Sequence, residues 1–395
     1  MTSGPAVAIA GAGLVGVGAF EGESVASVAS RAVGAALADC GLARADVDGL
    51  FVHIGQPRGL DYDEIARLLA LNVQVVMQPW SHGRFAATVL GAAWQALRLE
   101  LVTCALCVAV WKPGGRRAGT VSAGGAMFAE TLREGGGPHA ETPWAGAVAP
   151  VFGAALATRA YFERHKLDLG LLGAVPVAQR KAAQRNPVAL MRKPMSPDDY
   201  AAARFIVEPL RLFDCSVPAG IGAAFLLTTG DRAADLRQPP VYIRGWQGIH
   251  GGPDEYIFGH PGLGVDQANV FDYRPAGAAE PVFGRAGVRP ADIDALYCYD
   301  AFSPQVLWTL ERFGYCETGE AAHFVQDGRI EIGGDLPVNT SGGHLSEGHS
   351  NGWGSFAEIV AQLRGQAAER QVDGARLAQW ATTLGDSVIF GADAG

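Results

Sequence analysis

With 395 residues, 49% of them apolar and 18% charged, the chain has material for two units or one large double-layered α/β core, more than a single small core serves. A net charge of −9, with no finger, RNP or basic-helix pattern, argues against nucleic acid as a partner and against a polybasic membrane face. The N-terminus lacks a basic leader and its apolar stretch is broken by glycines, so no signal peptide is expected. No run approaches the ~20 apolar residues of a membrane span. Cysteines 40, 104, 107, 215, 298 and 316 are scattered, mostly in apolar runs, which suits reduced thiols and a cytoplasmic location. Cys104 and Cys107 form a CxxC inside LVTCALCVAV, but with no second pair and no helix start they predict neither a metal nor a redox site.

Residues 7–20, VAIAGAGLVGVGAF, predict a buried strand followed by a Gly-rich turn, and residues 24–42 an Ala-rich helix ending at Gly41. GAGLVG (11–16) matches the GxGxxG of dinucleotide-binding turns. Glu21, Gly22 and Glu23 intervene before the helix, so the match is weak. Next comes GLARADVDGLFVH (41–53), which recurs as GVRPADIDALYCY (287–299) at an offset of 246. Both copies read as helix end, turn and strand, so the chain looks duplicated, with halves 1–238 and 239–395 facing each other across a pseudo-twofold axis. Pro239 and Pro240 precede the first strand of the second half. Between about 112 and 220 lies material without a counterpart there, rich in Gly, Pro, Arg and Lys, which reads as a lid over a ligand. Its Arg116, Arg117, Arg192 and Lys193 suit the phosphates of a large anionic ligand in an otherwise acidic protein.

The densest signal is NTSGGHLSEGHSNGWG (339–354), just before an amphipathic helix. Glycine at such density lets the backbone take positive φ or approach a ligand closely. His344 and His349 titrate nearest neutrality of any side chain, and a histidine at the mouth of a helix can serve as acid, base or oxyanion donor.

Taken in order, the strand–helix start, RNPxxxxRKPMSxxDYxxARxIxxPLRLFDC (185–215), YDAF (299–302) and NTSGGxLSEGH (339–349) resemble the thiolase superfamily, in its lipid-transfer-protein-like branch. The resemblance covers essentially the whole chain. It implies the α/β thiolase fold: two similar βαβαβαββ halves in a five-layer αβαβα sandwich, a loop domain over the coenzyme A site, and a homodimer. The thiolase nucleophile position, at the start of helix 81–97, falls at about Gly83, and the second thiolase cysteine would fall in TTLGDS, so neither thiol is present. Tyr299 stands where thiolases carry asparagine, and His349 where they carry the Gly-His-Pro histidine.

The tyrosine is a mark of a sub-branch resembling the steroid side-chain aldolases, which cleave a β-hydroxyacyl-CoA by retro-aldol chemistry and work in a heterotetramer with a small DUF35 zinc-ribbon/OB-fold protein. Those aldolases carry a second tyrosine at the position of His349. The resemblance implies Tyr299 as base and His349 as enolate stabiliser and proton donor, with His344 and Tyr297 as alternatives. Asp300 would orient the others, and the backbone of Gly83, Gly342, Gly343 and Gly385 would supply oxyanion donors. Coenzyme A enters only as part of the substrate, with no other cofactor and no metal. Two other readings stand beside this one: a cysteine-independent Claisen-type acyltransferase, and a non-catalytic acyl-CoA or sterol-CoA binding protein.

Overall fold

The computed structural model describes residues 4–18, 20–53, 60–79, 86–112, 150–250 and 280–395. Its main sheet is built from β1 (Val7–Gly18), β2 (Gly49–His53), β3 (Val75–Met77), β4 (Cys104–Trp111), β7 (Gly220–Thr229), β8 (Val241–Gln247), β9 (Ala295–Cys298), β10 (Leu377–Ala381) and β11 (Ser387–Gly391). A two-stranded hairpin, Phe205–Val207 with Leu210–Arg211, supplies β5 and β6. The order across the main sheet is β3-β2-β4-β7-β1-β8-β11-β10-β9.

Read outward from the β1/β8 seam, the two directions match. β1 pairs antiparallel with β7, β7 antiparallel with β4, and β4 parallel with β2. On the other side β8 pairs antiparallel with β11, β11 antiparallel with β10, and β10 parallel with β9. The third parallel strand of the first half, β3, pairs Leu50 with Val76; its counterpart has shrunk to a single bridge, Leu296 with Val338, at the same offset of 246 on the β2/β9 side. Phe51 and Tyr297 therefore occupy equivalent strands, although β9, lacking a full neighbour, is an edge strand.

Alternation along the strands sorts side chains into layers. One face of the first half (Ala8, Leu50, Cys104, Leu106, Leu226) packs on α1 (Val25–Cys40) and α2 (Tyr62–Leu69). The opposite face of both halves (Ile9, Phe51, Cys107 and Phe225; Tyr297, Trp380 and Phe390) closes on α3 (Ala86–Arg98) and the helix Trp353–Leu363, which share one core. The remaining face of the second half (Leu296, Cys298, Ile389) meets the helices Pro281–Ala286 and Pro304–Arg312. The result is the αβαβα sandwich. Cys104 and Cys107 fall on opposite faces of β4, so the CxxC cannot act as a pair.

GAGLVG corrects one expectation. It is no turn but the middle of β1, and its glycines answer to helix packing: a Cβ at Gly11 would lie 2.4 Å from the carbonyl oxygen of Ala36, and at Gly13 2.1 Å from that of Ala32. α1 sits that close to the sheet.

The described part of the insertion builds no large core of its own. Its helices Pro150–His165 and Ala174–Gln184 bury Ala154, Tyr161, Phe162, Val175 and Ala178 against Val306, Leu310 and Phe313 of the second half. Among the described residues no helix is long and apolar enough to cross a membrane.

Candidate active site

β9 delivers the chain to Tyr299 and Asp300, and the polar loop after Val338 is clamped beside it. The Asn339 side chain accepts from the Cys298 N–H at 2.8 Å and donates to the Cys298 carbonyl at 3.2 Å, replacing the ladder bonds the shortened third strand lacks. Asp300, fully buried, receives the N–H groups of His344 (2.9 Å) and Leu345 (3.3 Å), which open the short helix Gly343–Ser346. Gly343 sits at φ 58°, and a Cβ there would lie 2.3 Å from Asp300 Oδ2, so only glycine admits this carboxylate.

His344 and His349 differ in kind, although their ring centroids are 5.0 Å apart. The Nε2 of His344 accepts from the Gly352 N–H at 3.1 Å, which leaves the proton on Nδ1, 2.6 Å from Asp300 Oδ1. The Asp300 N–H also points at Nδ1, at a longer 3.4 Å. With both ring nitrogens committed in the interior, His344 holds the loop in shape. The ring of His349 is half-buried; its Nε2 lies 2.9 Å from the Tyr299 hydroxyl and its Nδ1 3.3 Å from the Ser216 hydroxyl. A phenol thus faces an imidazole nitrogen able to accept its proton.

The other expected residues fall out as follows. Tyr297 shares the inner strand face with Tyr299, but its hydroxyl is spent on Thr340 Oγ1 at 2.7 Å, and burial, then the Glu358 carboxylate, push the phenol well above its usual range. The N–H of Gly342 donates to the Asn339 carbonyl (2.8 Å) and that of Gly385 to the Thr382 carbonyl (3.0 Å). These two expected oxyanion donors are already engaged in their own turns. Arg192 and Lys193 are exposed; the Lys193 carbonyl accepts from Arg180, and neither side chain joins the Tyr299–His349 pair. Gly83, Arg116 and Arg117 lie outside the described residues.

Sequence reading missed two side chains. One is Ser216, which lies within the segment read as a lid but just beyond the motif that ends at Cys215. The other is His53, which the offset of 246 makes the first-half counterpart of Tyr299. His53 is buried between Trp111 and Trp353, and its Nδ1 accepts from the Trp353 indole at 2.9 Å. Burial pushes it down to about 4, so it stays neutral at physiological pH.

Glu347 carries a pH dependence. Buried beside Ser341 Oγ (2.8 Å) and Asn186 Nδ2 (3.3 Å), its carboxyl is pushed from 4.5 up to about 8, chiefly by burial and further by Glu358. Between pH 4.5 and 8 the unfolded chain releases a proton that the folded one keeps, so this group's contribution to stability falls as pH rises through that window. Glu347→Gln keeps both hydrogen bonds without the ionisation. The variant should gain melting temperature relative to wild type as pH goes from 5 to 8.5; a pH-independent difference would refute the assignment.

Residues 266–388 match the family model described as thiolase C-terminal domain-like. The chain is 32% identical, over 93% of each sequence, to the steroid side-chain-cleaving aldolase of Thermomonospora curvata. It is 34% identical to the 17-hydroxy-3-oxo-4-pregnene-20-carboxyl-CoA lyase of Mycobacterium tuberculosis, over 90% of this chain and 92% of that one. The chain belongs to the thiolase superfamily, among the relatives of the steroid side-chain-cleaving aldolases. Among solved structures, the Ltp2-ChsH2(DUF35) aldolase superimposes with a TM-score of 0.81 at 30% identity, over 98% of both chains. The acetyl-CoA acetyltransferase of Syntrophomonas wolfei, at 16% identity and a TM-score of 0.67 over 99% of this chain and all of the other, shares the fold. This chain has a phenol–imidazole pair, and neither residues 81–97 nor residues 382–387 contain a cysteine.

Proposed function

We propose that this protein is an acyl-CoA aldolase that cleaves a β-hydroxyacyl-CoA, with a bulky acyl group such as a steroid side chain, into a ketone or aldehyde and a shorter acyl-CoA. The observation that carries the reading is the 2.9 Å contact between the Tyr299 hydroxyl and His349 Nε2 at the end of β9, in a chain whose relatives bear aldolase and lyase names. Retro-aldol cleavage needs a proton taken from the β-hydroxyl and, later, a proton given to the α-carbon. A neutral phenol cannot take the substrate's proton without giving up its own. Transfer to His349 is therefore concerted with bond cleavage. As Tyr299 passes its proton to Nε2 it takes the substrate's hydroxyl proton; the Cα–Cβ bond breaks and its electron pair enters the thioester enolate. The imidazolium stabilises that anion and returns the proton, which ends on the α-carbon. No thiol takes part, and coenzyme A enters as part of the substrate.

The same reading includes a DUF35 partner, supported by the solved aldolase whose name carries one. For the homodimer, the reading favours β3 as the contact. Among the described residues this is an edge strand with Val76 and Met77 exposed, and a second copy's β3 would extend the ladder. The assay supplies a β-hydroxyacyl-CoA to the chain with a DUF35 protein from the same genome and follows the free carbonyl product, while mass photometry weighs the complex. A heterotetramer releasing a ketone or aldehyde is expected. His349→Ala should lose about 10²–10³-fold in turnover, the usual worth of one enolate donor. If the wild type instead uses coenzyme A to split a β-ketoacyl-CoA into two thioesters, the Claisen reading replaces this one.

A further inference from the structure

The Tyr299–His349 pair is completed by a side chain from the other half of the chain. Residues 215–218 thread between the strand end that carries Tyr299 and the loop that carries His349. Cys215 bridges to Phe302 and Pro218 to His349. The Ser216 N–H donates to the Ala301 carbonyl at 2.9 Å, the Val217 N–H to the His344 carbonyl at 3.0 Å, and the His349 N–H to the Val217 carbonyl at 2.8 Å. The backbone therefore fixes Ser216 against both partners. Its hydroxyl lies 3.3 Å from His349 Nδ1, on the side of the ring opposite Tyr299.

We infer that Ser216 is a positioning residue that meets His349 Nδ1 in either tautomer, and so holds the ring in place while Tyr299 and Nε2 pass a proton in both directions. The contrast with His344 supplies the reason. Between an obligate acceptor, the Asp300 carboxylate, and an obligate donor, the Gly352 N–H, His344 is held in one tautomer. Serine can donate or accept. When Tyr299 passes its proton to Nε2, the Nδ1–H of the imidazolium is accepted by Ser216 Oγ. When His349 holds its proton on Nε2, the serine hydroxyl rotates and donates to the bare Nδ1. The two resting tautomers interconvert by proton exchange with water, whereas transfer through Nε2 leaves the Nδ1 proton in place and balances between Tyr299 and His349 alone. This inference rests on the aldolase reading for its catalytic consequence, but the tautomer exchange belongs to the resting protein.

The test separates the two. In the substrate-free protein, side-chain ¹⁵N spectra should show His349 with both nitrogens averaged between protonated and bare, and His344 with a fixed Nδ1–H as the internal control. Ser216→Ala should displace the His349 signals and leave those of His344 in place, while Ser216→Thr, which keeps a hydroxyl, should restore the wild-type pattern. With a β-hydroxyacyl-CoA and the DUF35 protein, Ser216→Ala should lower kcat about 10- to 100-fold, as loss of an orienting partner commonly does. KM should stay within about twofold, and the threonine variant should recover most of the rate. His349 signals unchanged in Ser216→Ala would overturn the inference whatever the rates. A wild type that releases no carbonyl product would count against the aldolase reading alone, because the spectra decide the tautomer question without substrate.

Discussion

Tyr299→Phe should lower turnover about 10²- to 10⁴-fold while leaving acyl-CoA binding within about threefold, because it removes one positioned acid–base group and nothing else. The ring of Tyr299 is 94% buried, packed in the inner core and against His344 at a centroid distance of 5.1 Å, and phenylalanine keeps that packing. What goes is the oxygen 2.9 Å from His349 Nε2, and with it the route for the substrate's hydroxyl proton. Single-turnover release of the carbonyl product, measured beside equilibrium binding of the same thioester, separates the chemical step from affinity. A variant turning over at near-wild-type rate would remove Tyr299 as the base. Tyr297 could not simply replace it, since its hydroxyl is committed to Thr340 in the interior.

Asp300→Ala should cost on the order of 3–5 kcal/mol of folding stability and abolish activity by collapse of the loop rather than by loss of a reacting group. The carboxylate accepts from two backbone N–H groups and from His344 Nδ1, all buried, and each donor left unpaired costs ~1–3 kcal/mol. His344 would lose the acceptor that fixes its tautomer, and with it the bond from Gly352 that sets the start of helix Trp353–Leu363. Asp300→Asn should fall between, because its amide can satisfy the His344 pair only by turning its NH₂ against the Leu345 N–H. Thermal melts of the three proteins check the order; an alanine variant melting within about 1 °C of wild type would refute the role of Asp300 as hub.

The fold was legible where the sequence repeats itself. The echo between residues 41–53 and 287–299 pointed to one strand order used twice, and the sheet carries that order on both sides of its seam. The repeat could not reveal that the second copy's third strand survives as one bridge at Val338, because the side chain of Asn339 makes the missing backbone bonds, and a side chain's partner cannot be read from its neighbours in sequence. At the site, glycine density and the YDAF run pointed to Tyr299, Asp300, His344 and His349, which the structure gathers together. Their division of labour was invisible: whether a histidine is locked or switchable depends on what meets each ring nitrogen. For His349 that is a serine 133 residues away along the chain. The glycines of GAGLVG misled for a related reason, since a backbone approached by a helix and one approached by a phosphate place the same demand on sequence.

The shared inner layer has a bearing on descent. A polypeptide half this long, with the same strand order, would hold its inner helix against water unless a second copy covered it, so it could exist only as a pair related by the axis that now runs through the β1/β8 seam, where Ala8 meets Tyr242 and Ile9 meets Val241. Such a pair would have had two equal centres and no means of making them differ, because any substitution would appear in both. Joining the copies end to end removed that bond of identity. The residue at the end of the second parallel strand is free to be the Tyr299 phenol that meets His349 in one copy and the uncharged, tryptophan-flanked imidazole of His53 in the other. Asymmetry at the centre of a symmetric scaffold is what the fusion made possible.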